Sequence, residues 1–475
     1  MSHESLTFID THAHLDSGRF TADLPQVLDA ARAAGVRYIL TIGCDLASSR
    51  AAVELAARYP EVYAAVGIHP HDAQQVDDQA LDELKQLARQ DKVVAIGETG
   101  LDYYRDHCPR DIQQSAFRRQ IALAREVELP IIVHDRDAHQ DVLRILQEEQ
   151  AQQVGGVLHC FSGDQAMARA CIELGFFISF PGTLTYPNNQ ALREVAEAIS
   201  TDHILLETDC PYLAPQVRRG KRNEPAYLRH TAEELARIKG LSLADIARVT
   251  SLNAFRLFGI GAPDQRSRIA YPIRDALYLN ITNRCSNRCI FCAKFKDFTV
   301  KGHALKLERE PTAEEVKEAI GCPRDYREVV FCGYGEPLLR LDLVKEVAAW
   351  LHEQGAGSGL YRTWPGQAWF PAQHPARTGR PEVDVSVSST PPMPRLSAHL
   401  SIGLGEAGFQ PDIASFLREA KLHIPLGHRQ RGNTTGGRRG LPKNRRRVKF
   451  WCGGTTVGIA GKPQRKLALR RRAAQ

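Results

Sequence analysis

Along the first 260 residues, short apolar runs alternate with longer stretches in which apolar positions recur every three or four residues. The short runs, read as strands, lie at residues 7–10, 36–42, 62–68, 93–97, 130–134, 156–159, 176–180 and 203–208. Helical periodicity fills the intervals, at 23–34, 47–59, 81–90, 111–127, 138–149 and 189–199. Strands separated by helices pair in parallel through crossovers. Eight such units over about 250 residues predict a TIM (β/α)8 barrel. The pattern then changes. Residues 259–268, rich in Gly, Pro and charge, read as a linker, and the boundary region is set at 261–274. A strand at 276–282, another at 328–331 and a helix at 341–353 make 275–355 a partial second α/β domain, with no further strand legible after the helix. From 356 to 475 periodicity is absent apart from one helical stretch at 411–422, and abundant Pro, Gly and Arg read as a largely disordered tail.

Composition refines this picture. A chain of 475 residues exceeds one ordinary core. No stretch approaches the ~20 apolar residues of a membrane span, and the start, Met1-Ser2-His3-Glu4-Ser5, has no signal character, so a soluble cytoplasmic protein without membrane partners is expected. Eleven cysteines are too few for a secreted disulfide scaffold of this size. The net charge of +7 is uneven: residues 420–475 carry sixteen Lys and Arg and no acid, leaving 46 bases against 55 acids before them. The body is acidic, and any electrostatic attraction to nucleic acid resides in the tail.

Ligand-type residues recur at the strand ends. His12 and His14 follow the first, Glu98 the fourth, His134 the fifth, His159 the sixth and Asp209 the eighth. A barrel builds its active site from the C-terminal ends of its strands, so these six are expected to meet. Alternation along an extended segment puts the imidazoles of His12 and His14 on one side. With Asp209 and one oxygen of Glu98 they can hold one divalent ion, while the other oxygen reaches a second ion held by His134 and His159. Imidazoles mixed with carboxylates suit zinc or manganese better than calcium. Two such ions activate a shared water, and Asp209 is placed to act also as general base. His69, His71 and His139 read as capping or core histidines, and Asp16 and Asp102 as supporting groups or helix caps.

These residues stand in motifs that resemble one family. His12-Ala13-His14-Leu15-Asp16, Gly97-Glu98-Thr99-Gly100-Leu101-Asp102, Val133-His134-Asp135-Arg136, His159-Cys160-Phe161-Ser162-Gly163 and Glu207-Thr208-Asp209-Cys210-Pro211 resemble, in order, those of the TatD family of metal-dependent DNases. The resemblance spans about 6–260 and implies a metal-dependent deoxyribonuclease, often acting 3′-to-5′ on single strands, with the same six ligands and two ions of zinc, manganese or magnesium. Arg136, Arg218, Arg219, Lys221 and Arg222 are expected phosphate contacts, and Tyr103, Tyr104 and Phe161 expected stacking surfaces. Another ester or an amide, such as a charged tRNA, would use the same water.

In the second segment Cys285, Cys289 and Cys292 are spaced three and then two residues apart, able to bind three irons of a [4Fe–4S] cluster. Zinc, with His303 as fourth donor, is the competing assignment. The spacing resembles the radical S-adenosylmethionine (radical SAM) superfamily, and Cys332-Gly333-Tyr334-Gly335-Glu336-Pro337 resembles its Gly-Gly-Glu-Pro motif. Gly333, Gly335, Glu336 and Pro337 are thus expected at S-adenosyl-L-methionine, whose substrate is unspecified; the barrel could equally serve such a radical enzyme as a substrate-binding partner. The break near Gly355 has two readings, a nucleic-acid-binding tail or, preferred, a departure of the reading frame that truncates this domain.

Overall fold

The structure, a computed structural model, describes residues 6–262, 264, 266–286, 292–295 and 297–355, with backbone alone at 362–363, 451–452 and 455–456. Eight strands, β1 (Phe8–Ala13), β2 (Val36–Ile42), β3 (Val62–Val66), β4 (Val93–Asp102), β5 (Ile131–Arg136), β6 (Gly156–Leu158), β7 (Phe176–Phe180) and β8 (Ile204–Leu206), pair in parallel in chain order. A parallel bridge between Ala13 and Cys210 joins the last to the first. The expected TIM barrel is therefore formed. Around it run α1 (Leu24–Ala33), α2 (Leu46–Arg58), α3 (Asp78–Leu87), α4 (Arg110–Val127), α5 (His139–Glu148), α6 (Gln165–Glu173), α7 (Gln190–Ala198), α8 (Leu228–Lys239) and α9 (Leu243–Phe258).

Side-chain alternation explains why the strands read as continuous apolar runs. In β2, Leu40 and Ile42 point into the barrel while Ile39 faces the helices; in β5, Ile132 points in while Ile131 and Val133 point out. Both faces are covered, so neither can be polar. The interior set, with Ile9, Ala65, Ala95, Val157 and Leu205, packs on Ala254, Phe258 and Ile260, and α9 thereby plugs the barrel.

Three strands overrun the expected ends. β1 continues through His12, β4 continues to Asp102 and β5 to Arg136, so His12, Glu98 and His134 lie inside their strands rather than at or past their ends. The β4–β5 register shifts between Ile96 and Thr99, a local irregularity of the kind that re-aims a side chain. Gly97 and Gly100 permit it. Their φ values are 150° and 144°, and a Cβ on Gly100 would lie 2.0 Å from the carbonyl oxygen of His134.

The second segment adds β9 (Ala270–Ile273), β10 (Ala276–Leu279), β11 (Thr299–Val300), β12 (His303–Ala304), α10 (Ala313–Ile320), β13 (Glu328–Phe331), α11 (Leu341–Glu353) and β14 (Arg362–Thr363). Its sheet has the order β14-β13-β10-β9, with β9 antiparallel and the others parallel. Two expectations change. Residues 270–273, taken into the boundary region, form a strand hairpinned to β10, and the strand missing from the pattern after α11 is the short β14. Leu277, Leu279, Val329 and Phe331 pack on Val316, Ile320, Val344, Val347 and Leu351.

This segment joins the barrel beside the start of β8. Lys301 Nζ donates to Thr201 Oγ1 at 2.6 Å, and Asp245, which caps α9, also accepts from the backbone N of Arg274 at 2.9 Å. Beyond it, a two-strand pair, β15 (Trp451–Cys452) and β16 (Thr455–Thr456), is described by itself. The remainder of 356–475, including the helix expected at 411–422, lies outside the described residues, as does Cys289. No described helix is long and apolar enough to cross a membrane.

Candidate functional site

All six expected ligands converge where the barrel strands end. Glu98 is buried at the centre, and its two oxygens face different partners. Oε2 lies 3.3 Å from His12 Nε2 and 4.0 Å from His14 Nε2; Oε1 lies 2.6 Å from His134 Nδ1 and 2.7 Å from His159 Nε2. Asp209 joins the first group, its Oδ1 3.3 Å from His14 Nε2 and 3.8 Å from His12 Nε2. It sits in the left-handed region at φ 55°, tied by its N–H to the carbonyl of His12 at 2.9 Å. Aspartate tolerates that conformation better than most residues, and such strain concentrates at working sites.

The electrostatics follow from this crowding. Burial would raise the Glu98 carboxyl, but His159, His69 and His12 outweigh it and hold Glu98 well below the ordinary range. Burial and the neighbouring His159 push His12 down to about 4, so it is neutral. His134 goes the other way, to about 9, because hydrogen bonds to Asp102 and Glu98 overcome its burial. Both ring nitrogens of His12 and Nδ1 of His159 are buried without a hydrogen-bond partner. Orphaned imidazole nitrogens facing carboxylates are costly unless an electrophile completes them, so the donor set fits divalent cations.

Two residues missed at the sequence level belong here. His69, read as a core or capping residue, places Nε2 3.3 Å from His134 Nδ1 and 3.6 Å from Glu98 Oε1. Cys44 places Sγ 3.8 Å from His14 Nδ1. Cys44 stands two residues past its expected strand, whereas His69 directly follows the expected strand at 62–68, and the spacing His69-Pro70-His71 repeats that of His12 and His14. Asp102 supports the site: Oδ2 lies 3.2 Å from His134 Nε2 and 2.9 Å from His71 Nε2, while Oδ1 accepts from the N–H groups of Tyr104 and Arg105. His139 pairs with Asp135 at 2.7 Å, away from the cluster.

The expected substrate contacts divide. Arg222 is engaged by Asp23 at 2.7 and 2.9 Å and packs on Phe20, so it is structural. Tyr103 donates its hydroxyl to Asp141, and Phe161 is buried in the core. Tyr104 is 59% exposed, with the guanidinium of Arg136 4.9 Å from its ring centre. Arg219 covers Tyr186 at 4.4 Å, and Arg19 covers Tyr212 at 5.5 Å. Arg136 is the last residue of β5, and the others stand on loops that follow β1, β4, β7 and β8, hence on the rim that carries the histidines.

Residues 9–259 match the family model described as TatD related DNase. The chain belongs to this family. The TatD match covers the barrel. A metal-dependent hydrolase of Bacillus subtilis, YabD, is 47% identical over 251 residues, 53% of this chain and 98% of the relative. A Salmonella typhimurium protein named 3′-5′ ssDNA/RNA exonuclease TatD is 38% identical, covering 53% of this chain and 98% of its own. Among solved structures, the TatD homologue YJJV of Escherichia coli K12 has a TM-score of 0.52 at 32% identity, covering 54% of this chain and 98% of that one. The TatD barrel of this chain is thus that of a metal-dependent hydrolase. Residues 279–430 match the Radical SAM superfamily, beyond the boundary of 355 set by the sequence pattern.

In that second segment Cys285 and Cys292 are partly exposed free thiols. A Cβ on Gly333 would lie 2.2 Å from Asn280 Oδ1, and one on Gly335 2.1 Å from the carbonyl of Thr282. These glycines therefore let the loop after β13 press against the loop leading to the cysteines, and Glu336 N donates to the carbonyl of Arg284 at 2.8 Å. Pro337 is buried at the following turn. His303 Nε2 lies 3.0 Å from the carbonyl of Pro272, an engagement that accounts for this buried side chain without zinc.

Proposed function

We propose that the barrel hydrolyses phosphodiester bonds of single-stranded nucleic acid, in particular DNA. The observation that carries this reading is the division of Glu98: one oxygen faces His12, His14 and Asp209, the other His134 and His159. The first group would hold one cation and the second another, with zinc, manganese or magnesium in each. Two bridged cations lower the pKa of a shared water and brace the attacking and leaving oxygens.

The chain supplies the rest. Burial opposes the charge on Asp209, but its contacts with His14 and His12 keep the carboxyl ionised below its ordinary range. It can therefore accept the proton of the attacking water as general base. On the rim, Arg136, Arg219 and Arg19 are available for phosphate oxygens, and the rings of Tyr104, Tyr186 and Tyr212 for bases. The exonuclease name of the Salmonella relative supports this substrate class. In the second segment Cys285, Cys289 and Cys292 would carry a [4Fe–4S] cluster, with Gly333, Gly335, Glu336 and Pro337 at S-adenosyl-L-methionine.

Digestion of end-labelled single-stranded DNA by the full chain, with and without chelator, tests the hydrolytic reading. Products are expected only in metal and only with Glu98 intact. Cleavage that survives chelation, or that persists in Glu98→Ala, contradicts it.

A further inference from the structure

We infer that Cys44 is a positioning residue for the cation site formed by His12, His14 and Asp209; the inference rests on the two-cation reading above. Cys44 lies two residues past β2, and its backbone is fixed on both sides. Its N–H donates to Ser48 Oγ at 2.8 Å, and its carbonyl accepts from the N–H of His69 at 2.8 Å. The preceding Gly43 packs so closely on α2 that a Cβ there would lie 2.3 Å from Ser49 Oγ. The thiol is therefore held where it is by main chain.

From that position Sγ lies 3.8 Å from His14 Nδ1 and 3.8 Å from Glu98 Oε2. The other nitrogen of His14, Nε2, faces Asp209 Oδ1 at 3.3 Å. An imidazole that offers Nε2 to a cation must carry its proton on Nδ1, and the partner of that proton fixes both tautomer and ring angle. Cys44 supplies the partner. His14 Nδ1–H donates to Sγ, and the S–H in turn donates to Glu98 Oε2, so a single thiol orients a histidine and the bridging carboxylate together.

A second observation marks a ligand at this place. His12 is fully buried with neither ring nitrogen hydrogen-bonded, and its Nε2 points at Glu98 Oε2 and Asp209 Oδ1, 3.3 and 3.8 Å away. The second group is supported differently, by Asp102 behind His134. Loss of the thiol should therefore weaken one site and spare the other.

Calorimetric titration of zinc into the metal-free full chain tests this with the wild type, Cys44→Ala, Cys44→Ser and Glu98→Ala, each also carrying Cys285→Ala and Cys292→Ala so that zinc cannot occupy the cysteine motif. The wild type should bind at two sites. Cys44→Ala should lose about tenfold in affinity at one of them, the scale of supporting-shell losses, while its melting temperature without metal stays unchanged. Cys44→Ser should recover part of the loss and serves in its place if the alanine variant fails to fold. Equal affinities in the wild type and both Cys44 variants overturn the inference. So does a sulfur-to-cobalt charge-transfer band in the cobalt-loaded wild type that Cys44→Ala removes, because the thiol would then be a ligand. A wild type that takes up no zinc overturns the two-cation reading itself, and the inference with it.

Discussion

In the barrel, the expected ligands, running from residue 12 to residue 209, share one spot because eight parallel strands end on the same rim. In the second segment, the three expected cluster cysteines fall within residues 285–292, neighbours by sequence alone. The first arrangement is a property of the whole fold. Displacing any one strand moves a ligand, and the residues that prevent displacement, such as Gly97 and Gly100, lie beside the site without bearing any of its chemistry. The second is a property of spacing, readable without the fold. The second segment meets the barrel beside Thr201 and Asp245, near the start of β8, whereas the histidines gather where the strands finish.

The comparison can be broken at several points. Removal of the bridging carboxylate should have the largest effect, with Glu98→Ala lowering hydrolysis about a thousandfold, as when a group that stabilises developing charge is lost; rates on end-labelled DNA measure it. The double change Cys285→Ala with Cys292→Ala should abolish the visible absorption of an anaerobically reconstituted cluster and leave barrel hydrolysis unchanged. Linked losses would show that the two sites are not separate. Asp102→Asn should weaken cation binding some tenfold through His134, with little loss of stability, because the amide keeps the shape but not the charge that orients the imidazole. Gly100→Ala should cost about 2 kcal/mol or more, since the added methyl meets the His134 carbonyl and the φ is unfavourable. Denaturant unfolding reads the cost, and cation affinity should fall with it. Arg222→Ala should have the smallest effect, about 1 kcal/mol or less from an ion pair at the surface, and should leave DNA affinity unmoved; a marked loss of affinity would return Arg222 to the substrate rim.

Much of the barrel was legible because both faces of each strand are buried, which leaves unbroken apolar runs between amphipathic helices. The convergence of the six expected ligands was legible because the barrel fold says where strand ends meet. His69 escaped although it directly follows the run read as a strand at 62–68: a histidine at a strand end reads equally well as a cap or core residue, and only the fold places its Nε2 beside His134. Cys44 escaped because nothing in the sequence around it marks a thiol behind a histidine. Arg222 was misread for the opposite reason: a basic residue in a basic loop gives no sign of the Asp23 it pairs with, which folding alone brings near. The strand β14 was illegible because two residues carry no periodicity.

The central claim is that Glu98 spans two cations, and metal counting tests it most directly. Purified wild type and Glu98→Ala, each with the cluster iron quantified separately, would be analysed for zinc, manganese and magnesium by mass spectrometry. The account predicts two barrel ions per wild-type chain and at most one in Glu98→Ala. A single ion in the wild type, or two retained after the substitution, would contradict it.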